Sequence, residues 1–188
     1  MRGFRGMRNS VFAMAFFFCV VFGCSPAPRA PDIAPNGPAP AAKQKVIGAS
    51  LLTQGHQFYR DLVAAMEAEA AQQGFALRVQ YAEFQSPKQI NQIETFVQQG
   101  VDALIVAPCD SAGIAPTIND AAAKGIPVFT ADIAAHNANV VSHIASDNVL
   151  GGRIAAHALA EAIGGKGSVY VSNVAPGIST TDQREEGF

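Results

Sequence analysis

Side chains suited to holding a polar ligand gather in five short stretches, each reached from the end of an expected strand. They are Thr53-Gln54-Gly55-His56-Gln57-Phe58-Tyr59, Pro108-Cys109-Asp110-Ser111, Asp132, Ser146-Asp147-Asn148 and Ser179-Thr180-Thr181-Asp182-Gln183-Arg184. Each has a plainer reading. Ser111, Ser146 or Asp147 can cap the helix that follows, Asp132 can be a cap instead of a ligand group, and Arg184 can belong to a surface ion pair. Phe58 and Tyr59 are neighbours, so on a helix they point about 100° apart. Tyr59 falls on an apolar stripe, which leaves Phe58 to face a cleft or solvent.

The sequence offers little for catalysis. It has no G-x-G-x-x-G after its first apolar run, no G-x-x-x-x-G-K-[ST] and no G-x-S-x-G elbow. Gly164-Gly165-Lys166-Gly167 ends a helical pattern instead of starting one, so it cannot cradle phosphate at a helix N-terminus. The four histidines are scattered, and no Cys/His cluster has metal-ligand spacing, so no cofactor or metal is called for. A net charge of −2 lacks the basic excess of a nucleic-acid-binding chain. Nothing in these residues asks for an enzyme.

The elements that must position the five stretches alternate between strand and helix patterns. Strands are expected at 46–51, 75–82, 101–107, 126–131, 140–145 and 168–174. Helices are expected at 58–73, with Tyr59, Leu62, Val63, Met66 and Ala70 on one face, at 86–100, at 114–124, at 151–163 and from about Thr180. Ser86 is expected to cap the second helix, with Pro87 in its first turn and Ile90, Ile93, Phe96 and Val97 on its buried face. Val101–Ala107 is almost continuously apolar, as a strand covered on both faces is. The strand spacing is that of βαβ units, which predicts an α/β fold with a doubly wound, mostly parallel sheet. In such a sheet ligands collect beyond the carboxyl ends of the strands, where all five stretches fall.

The start of the chain reads differently. Arg2, Arg5 and Arg8 precede an apolar run from Val11 to Gly23, the order of a secretory signal over residues 1–23. Val21-Phe22-Gly23-Cys24 resembles a bacterial lipoprotein cleavage site, which makes Cys24 the expected acylated residue. Residues 25–42 hold six of the eleven prolines and almost no large apolar side chain. A stretch of that composition serves as a semi-rigid tether, placed at 24–44 with the lipidated cysteine. Attachment to a membrane is then expected through lipid.

The segment Val140-Val141-Ser142-His143-Ile144-Ala145-Ser146-Asp147-Asn148-Val149-Leu150-Gly151-Gly152 resembles the crossover of ribose-type periplasmic sugar-binding proteins. Gly100-Val101-Asp102-Ala103-Leu104, Asp110-Ser111, Gly125-Ile126-Pro127-Val128 with Asp132, Gly164-Gly165-Lys166-Gly167 and Arg184 with Gly187-Phe188 are similar to that family in order and spacing. The resemblance implies two α/β lobes closing on a sugar, and delivery to a membrane permease driven by an ATPase. On that frame residues 45–145 form a first lobe, and residues 146–188 form the crossover and the start of a second, so the chain is expected to be cut short. The resemblance makes Phe58 and Tyr59 the aromatic pair, Asp132 a hydroxyl-binding carboxylate and Ser146 a crossover contact, with Asp182 and Arg184 in the last site loop. An aromatic face packs on the C–H side of a sugar ring, while carboxylates and arginine hold hydroxyls. Ribose carriers show asparagine where Ala107 stands and arginine where Ile133 and Asp182 stand, so a different sugar or polyol is expected. A sensor feeding a chemoreceptor or kinase, and a truncated lobe that binds nothing, are the competing expectations.

Overall fold

The computed structural model describes residues 43–188, so the expected signal, Cys24 and nearly all of the tether lie outside the described residues. From Val46 the chain runs β1 (Val46–Leu51), α1 (Gln57–Gln73), β2 (Ala76–Tyr81), α2 (Ser86–Gln98), β3 (Ala103–Val106), α3 (Ala115–Ala123), β4 (Val128–Ala131), β5 (Ser142–Ile144), α4 (Asn148–Ala162) and α5 (Ser179–Gly187). All four strand pairings are parallel, in the order β2-β1-β3-β4-β5. The doubly wound parallel sheet expected from the alternating pattern is therefore present.

Strand alternation divides β1 between two layers. Leu51 packs with Tyr59 and Val63 of α1, in a cluster that also holds Leu52, Ala107, Ile133 and Ile178. The opposite face meets α2 and α3, where Ile93, Phe96, Leu104, Val106, Ile118 and Val128 form the second cluster. Gly48 explains how close α2 comes: a β-carbon there would lie 2.8 Å from the Phe96 ring. Helix α1 ends as expected at Gly74, whose left-handed backbone (φ 75°) turns the chain into β2.

The start of α2 departs from expectation. Gln85 occupies the cap position and no side chain caps the helix, so Ser86 is already in its first turn. The buried face of α2 is also more polar than its apolar residues announced. Gln89 is fully buried; its amide donates to the Ala107 carbonyl (2.9 Å) and accepts from the Cys109 N–H (2.7 Å). Gln92, one turn on, accepts from the Ser50 hydroxyl (2.8 Å) and donates to the Tyr81 carbonyl (2.9 Å). The two amides tie together the carboxyl ends of β1, β2 and β3, the edge on which the site is built. Replacing Gln89 with alanine would leave a buried N–H and a buried carbonyl unpaired, each worth about 1–3 kcal/mol. A clear fall in the urea midpoint is expected, and an unchanged midpoint would contradict this role.

Residues 168–174 are not a strand, contrary to the expectation for Ser168–Val174. Their β-forming composition meets no neighbouring strand among the described residues, and a strand without a ladder partner leaves its backbone groups to water. Tyr170 is accordingly 90% exposed. The two helices that flank this stretch, α4 and α5, pack on each other so closely that a β-carbon at Gly152 would strike the Arg184 carbonyl. One at Gly187 would strike the carbonyl of Val149.

Candidate functional site

Chain order in the sheet opens a crevice. From β1 the chain crosses by α1 to β2 on one side, then by α2 to β3 on the other, so α1 and α2 leave the carboxyl edge on opposite faces. A ligand crevice belongs at such a switch point. A cavity of about 240 Å³ lies there, lined by Leu52 and Thr53 from the loop after β1, by Phe58 and Tyr59 of α1, by Asp132 and Ile133 from the turn after β4, and by Ser146 of the crossover. Thr180, Thr181 and Arg184 of α5 line it from the far side. It is smaller than the roughly 300–1,000 Å³ of sites for drug-sized molecules, a size that fits one small ring.

Asp132 is the centre of this wall. Its N–H continues the β4–β5 ladder by donating to the Ile144 carbonyl (2.8 Å), and its backbone then turns left-handed (φ 65°). That conformation is uncommon outside glycine but tolerated by aspartate and asparagine. The turn sends Ile133 into the α1-side core and leaves the Asp132 carboxylate half-buried beside Tyr59. The Tyr59 hydroxyl donates to Asp132 Oδ2 at 2.7 Å. Burial first, then the hydrogen bond and the charge of Asp132, hold the Tyr59 phenol well above its ordinary value, so it stays a donor across the neutral range. With Oδ2 partly used, Oδ1 is left to accept from whatever enters the cavity.

The aromatic pair divides as its spacing predicts. Tyr59 is buried and Phe58 is 45% exposed, with the two rings edge to face at 5.2 Å between centroids. His56 caps α1, its Nδ1 accepting from the Phe58 N–H (3.3 Å), which fixes where the helix carrying the pair begins. Of the cap alternatives, Asp147 does cap α4, accepting from Leu150 N–H (2.9 Å), while Ser146 lines the cavity. Asp182 is placed elsewhere: its carboxylate accepts from the Gly177 N–H (3.2 Å), and it does not line the cavity.

Serines hold the far wall in place. Ser111 donates its N–H to the Gly177 carbonyl (3.0 Å), and its Oγ accepts from the Ser179 N–H (3.2 Å). Ser179 Oγ in turn accepts from the Ala134 N–H (2.8 Å). Both serines are almost fully buried, so the turn that starts α5 is fastened to the loops after β3 and β4. Sequence spacing gives no hint of contacts between residues so far apart. Phe84, outside all five stretches, also lines the cavity, from the loop after β2.

Cys109 lies behind this wall, packed against the α1-side cluster. Burial pushes its thiol up to about 11, with the charge of Asp110 acting in the same direction. The thiolate is the reactive form, so this cysteine is expected to resist iodoacetamide near pH 7.5 and to react faster as the pH approaches 11. Peptide mapping of the alkylated native protein checks this, and rapid labelling of Cys109 at pH 7.5 would contradict it.

Among the described residues no group of histidines, cysteines and carboxylates could hold a metal ion. Nor, among them, is any helix long and apolar enough to cross a membrane.

A half-buried carboxylate, an aromatic pair and an arginine thus surround one small cavity at the carboxyl edge of a parallel sheet. Residues 47–188 match the periplasmic binding protein domain, and the chain belongs to that family, in its ribose-type sugar-binding branch. The ribose import binding protein of Bacillus subtilis (strain 168) is 38% identical over 146 residues, which is 78% of this chain and 48% of that protein. An ABC transporter solute-binding protein from Agrobacterium vitis, solved with α-D-tagatopyranose, is 40% identical with a TM-score of 0.72, over 77% of this chain and 52% of that one. The Caulobacter myo-inositol binding protein, solved with myo-inositol, is 29% identical with a TM-score of 0.72, over 80% and 51%. The chain spans about half the length of the curated relatives it matches. Its family is one of exported, sugar-binding proteins of the periplasmic kind.

Proposed function

We propose that this protein captures a single sugar or polyol in the cavity at the carboxyl edge of its sheet and delivers it to an ABC-type permease and its ATPase subunit. The observation that carries the reading is the meeting of Phe58, Tyr59, Asp132, Ser146 and Arg184, from four separate parts of the chain, around one small cavity. In this reading Phe58 packs on the C–H face of the ring, Asp132 Oδ1 accepts from ring hydroxyls, and Arg184 and Ser146 hold further oxygens. Asp182 contributes by holding the turn at Gly177. Lipid on Cys24 would anchor the protein at the cell envelope, with residues 24–44 as tether, residues 45–145 as the first lobe and residues 146–188 as crossover and start of a second.

Ribose itself is disfavoured. Ala107 and Ile133, where ribose carriers bring hydrogen-bonding side chains, are both buried in the α1-side core. A hydroxyl placed against Ile133 would lose its partner, whereas a C–H surface would gain contact. Sugars and polyols that turn a C–H surface toward Ile133 are the favoured class; D-tagatose and myo-inositol, bound by relatives, are candidates to test.

Uptake decides the transport role. Cells lacking the gene are expected to lose high-affinity accumulation of one labelled sugar or polyol and to regain it on complementation. Unchanged uptake of every sugar that the purified protein binds would point to sensing instead.

A further inference from the structure

The loop after β2 contains two consecutive residues, Glu83 (φ 54°) and Phe84 (φ 60°), in the left-handed region that non-glycine residues seldom occupy. Two such residues in a row need support from their surroundings, and here it comes from the loop after β1. Glu83 Oε2 accepts from the Thr53 hydroxyl (2.6 Å) and Oε1 from the Gln54 N–H (3.0 Å), while the Phe84 N–H donates to the Leu52 carbonyl (3.2 Å). The Thr53 hydroxyl and then the Gln54 N–H hold the Glu83 carboxyl below its ordinary value near 4.5, so this latch is closed at neutral pH.

The strained turn leaves Phe84 53% exposed on the rim of the cavity that Phe58 also lines. The usual structural use of an apolar residue just before a helix cap is to pack on the fourth helical residue. For α2 that residue is Gln89, whose buried amide is committed to Ala107 and Cys109. Phe84 therefore has no core to serve, and its position matches the needs of a ligand better than those of the fold.

Resting on the sugar-binding reading of this cavity, we propose that Phe84 is a second aromatic contact for the bound ring, preset by the latch between Glu83 and Thr53-Gln54. The loops after β1 and β2 then present Phe58 and Phe84 as one hydrogen-bonded unit, without the entropy of ordering Phe84 on binding.

The test is calorimetric titration of the native protein with D-tagatose, D-ribose and myo-inositol in turn, beside the variants Phe84→Leu, Phe84→Tyr and Glu83→Gln. For the tightest of the three ligands, Phe84→Leu is expected to weaken binding about tenfold. Phe84→Tyr should bind within about twofold of the parent, and Glu83→Gln should fall between them, because a neutral amide accepts these hydrogen bonds less well. Thermal melts of all three variants should stay cooperative, since both side chains are exposed. Parent-like affinity in Phe84→Leu would overturn this inference alone. If the parent binds none of the three, the titrations move to a wider panel of pentoses, hexoses and cyclic polyols; failure across that panel would overturn it together with the sugar-binding reading, and the two failures are thereby distinguished.

Discussion

Replacing Asp132 with alanine is expected to weaken ligand binding by two to three orders of magnitude while the protein still folds. A charged acceptor that holds a hydroxyl inside a cavity contributes about 1.5–3 kcal/mol per hydrogen bond, and Asp132 Oδ1 can serve two hydroxyls. The variant would also strand the Tyr59 hydroxyl, which has Asp132 Oδ2 as its partner at 2.7 Å. Asp132→Asn separates these effects. Asparagine accepts the left-handed backbone (φ 65°) and can still accept from Tyr59, so it should melt near the parent while losing the charge. Titration of both variants checks this. If Asp132→Asn kept full affinity, the carboxylate would be a structural partner of Tyr59 and no more.

The second large effect is expected at Gly152. Helices α4 and α5 cross there with backbone against backbone, and a β-carbon would strike the carbonyl of Arg184. Backbone cannot yield as a flexible side chain can, so Gly152→Val must push α5 outward. Arg184 stands on that turn and Thr180 and Thr181 at its start, and all three line the cavity. The variant should therefore lose both stability, by about 1–3 kcal/mol as overpacking does, and most of its ligand affinity. A residue that does not itself line the cavity would thus act on binding through the place of a helix. Stability and affinity measured on one sample test the coupling; a destabilised variant that binds normally would break it.

Much of this arrangement is legible in the sequence, because the relevant signals are local. Five of the six expected strand runs became β1 to β5, and the stripe through Tyr59, Val63 and Ala70 became the buried face of α1. The position of Phe58 toward the cavity follows from the same helical geometry. What stayed hidden depends on contacts across the fold. Gln89 and Gln92 look like surface residues, yet they share a face with Ile93 and Phe96, and that spacing was the one available signal of their burial. Ser111 and Ser179 meet only because the sheet brings the loops after β3 and β4 beside the start of α5. Phe84 lies in a polar stretch, and only the left-handed turn at Glu83 sends it to the cavity rim. Residues 168–174 have strand composition but no strand beside them, and pairing outweighed propensity.

Family membership and site geometry meet in the claim that the cavity below Asp132 takes a sugar or polyol. The most direct test is titration of the native protein with a panel of pentoses, hexoses and cyclic polyols, repeated with Asp132→Ala. Saturable one-to-one binding of at least one member, stronger than ribose, is expected, with its near loss in Asp132→Ala. Saturable binding that survives Asp132→Ala unchanged, or no binding across the panel, would contradict it.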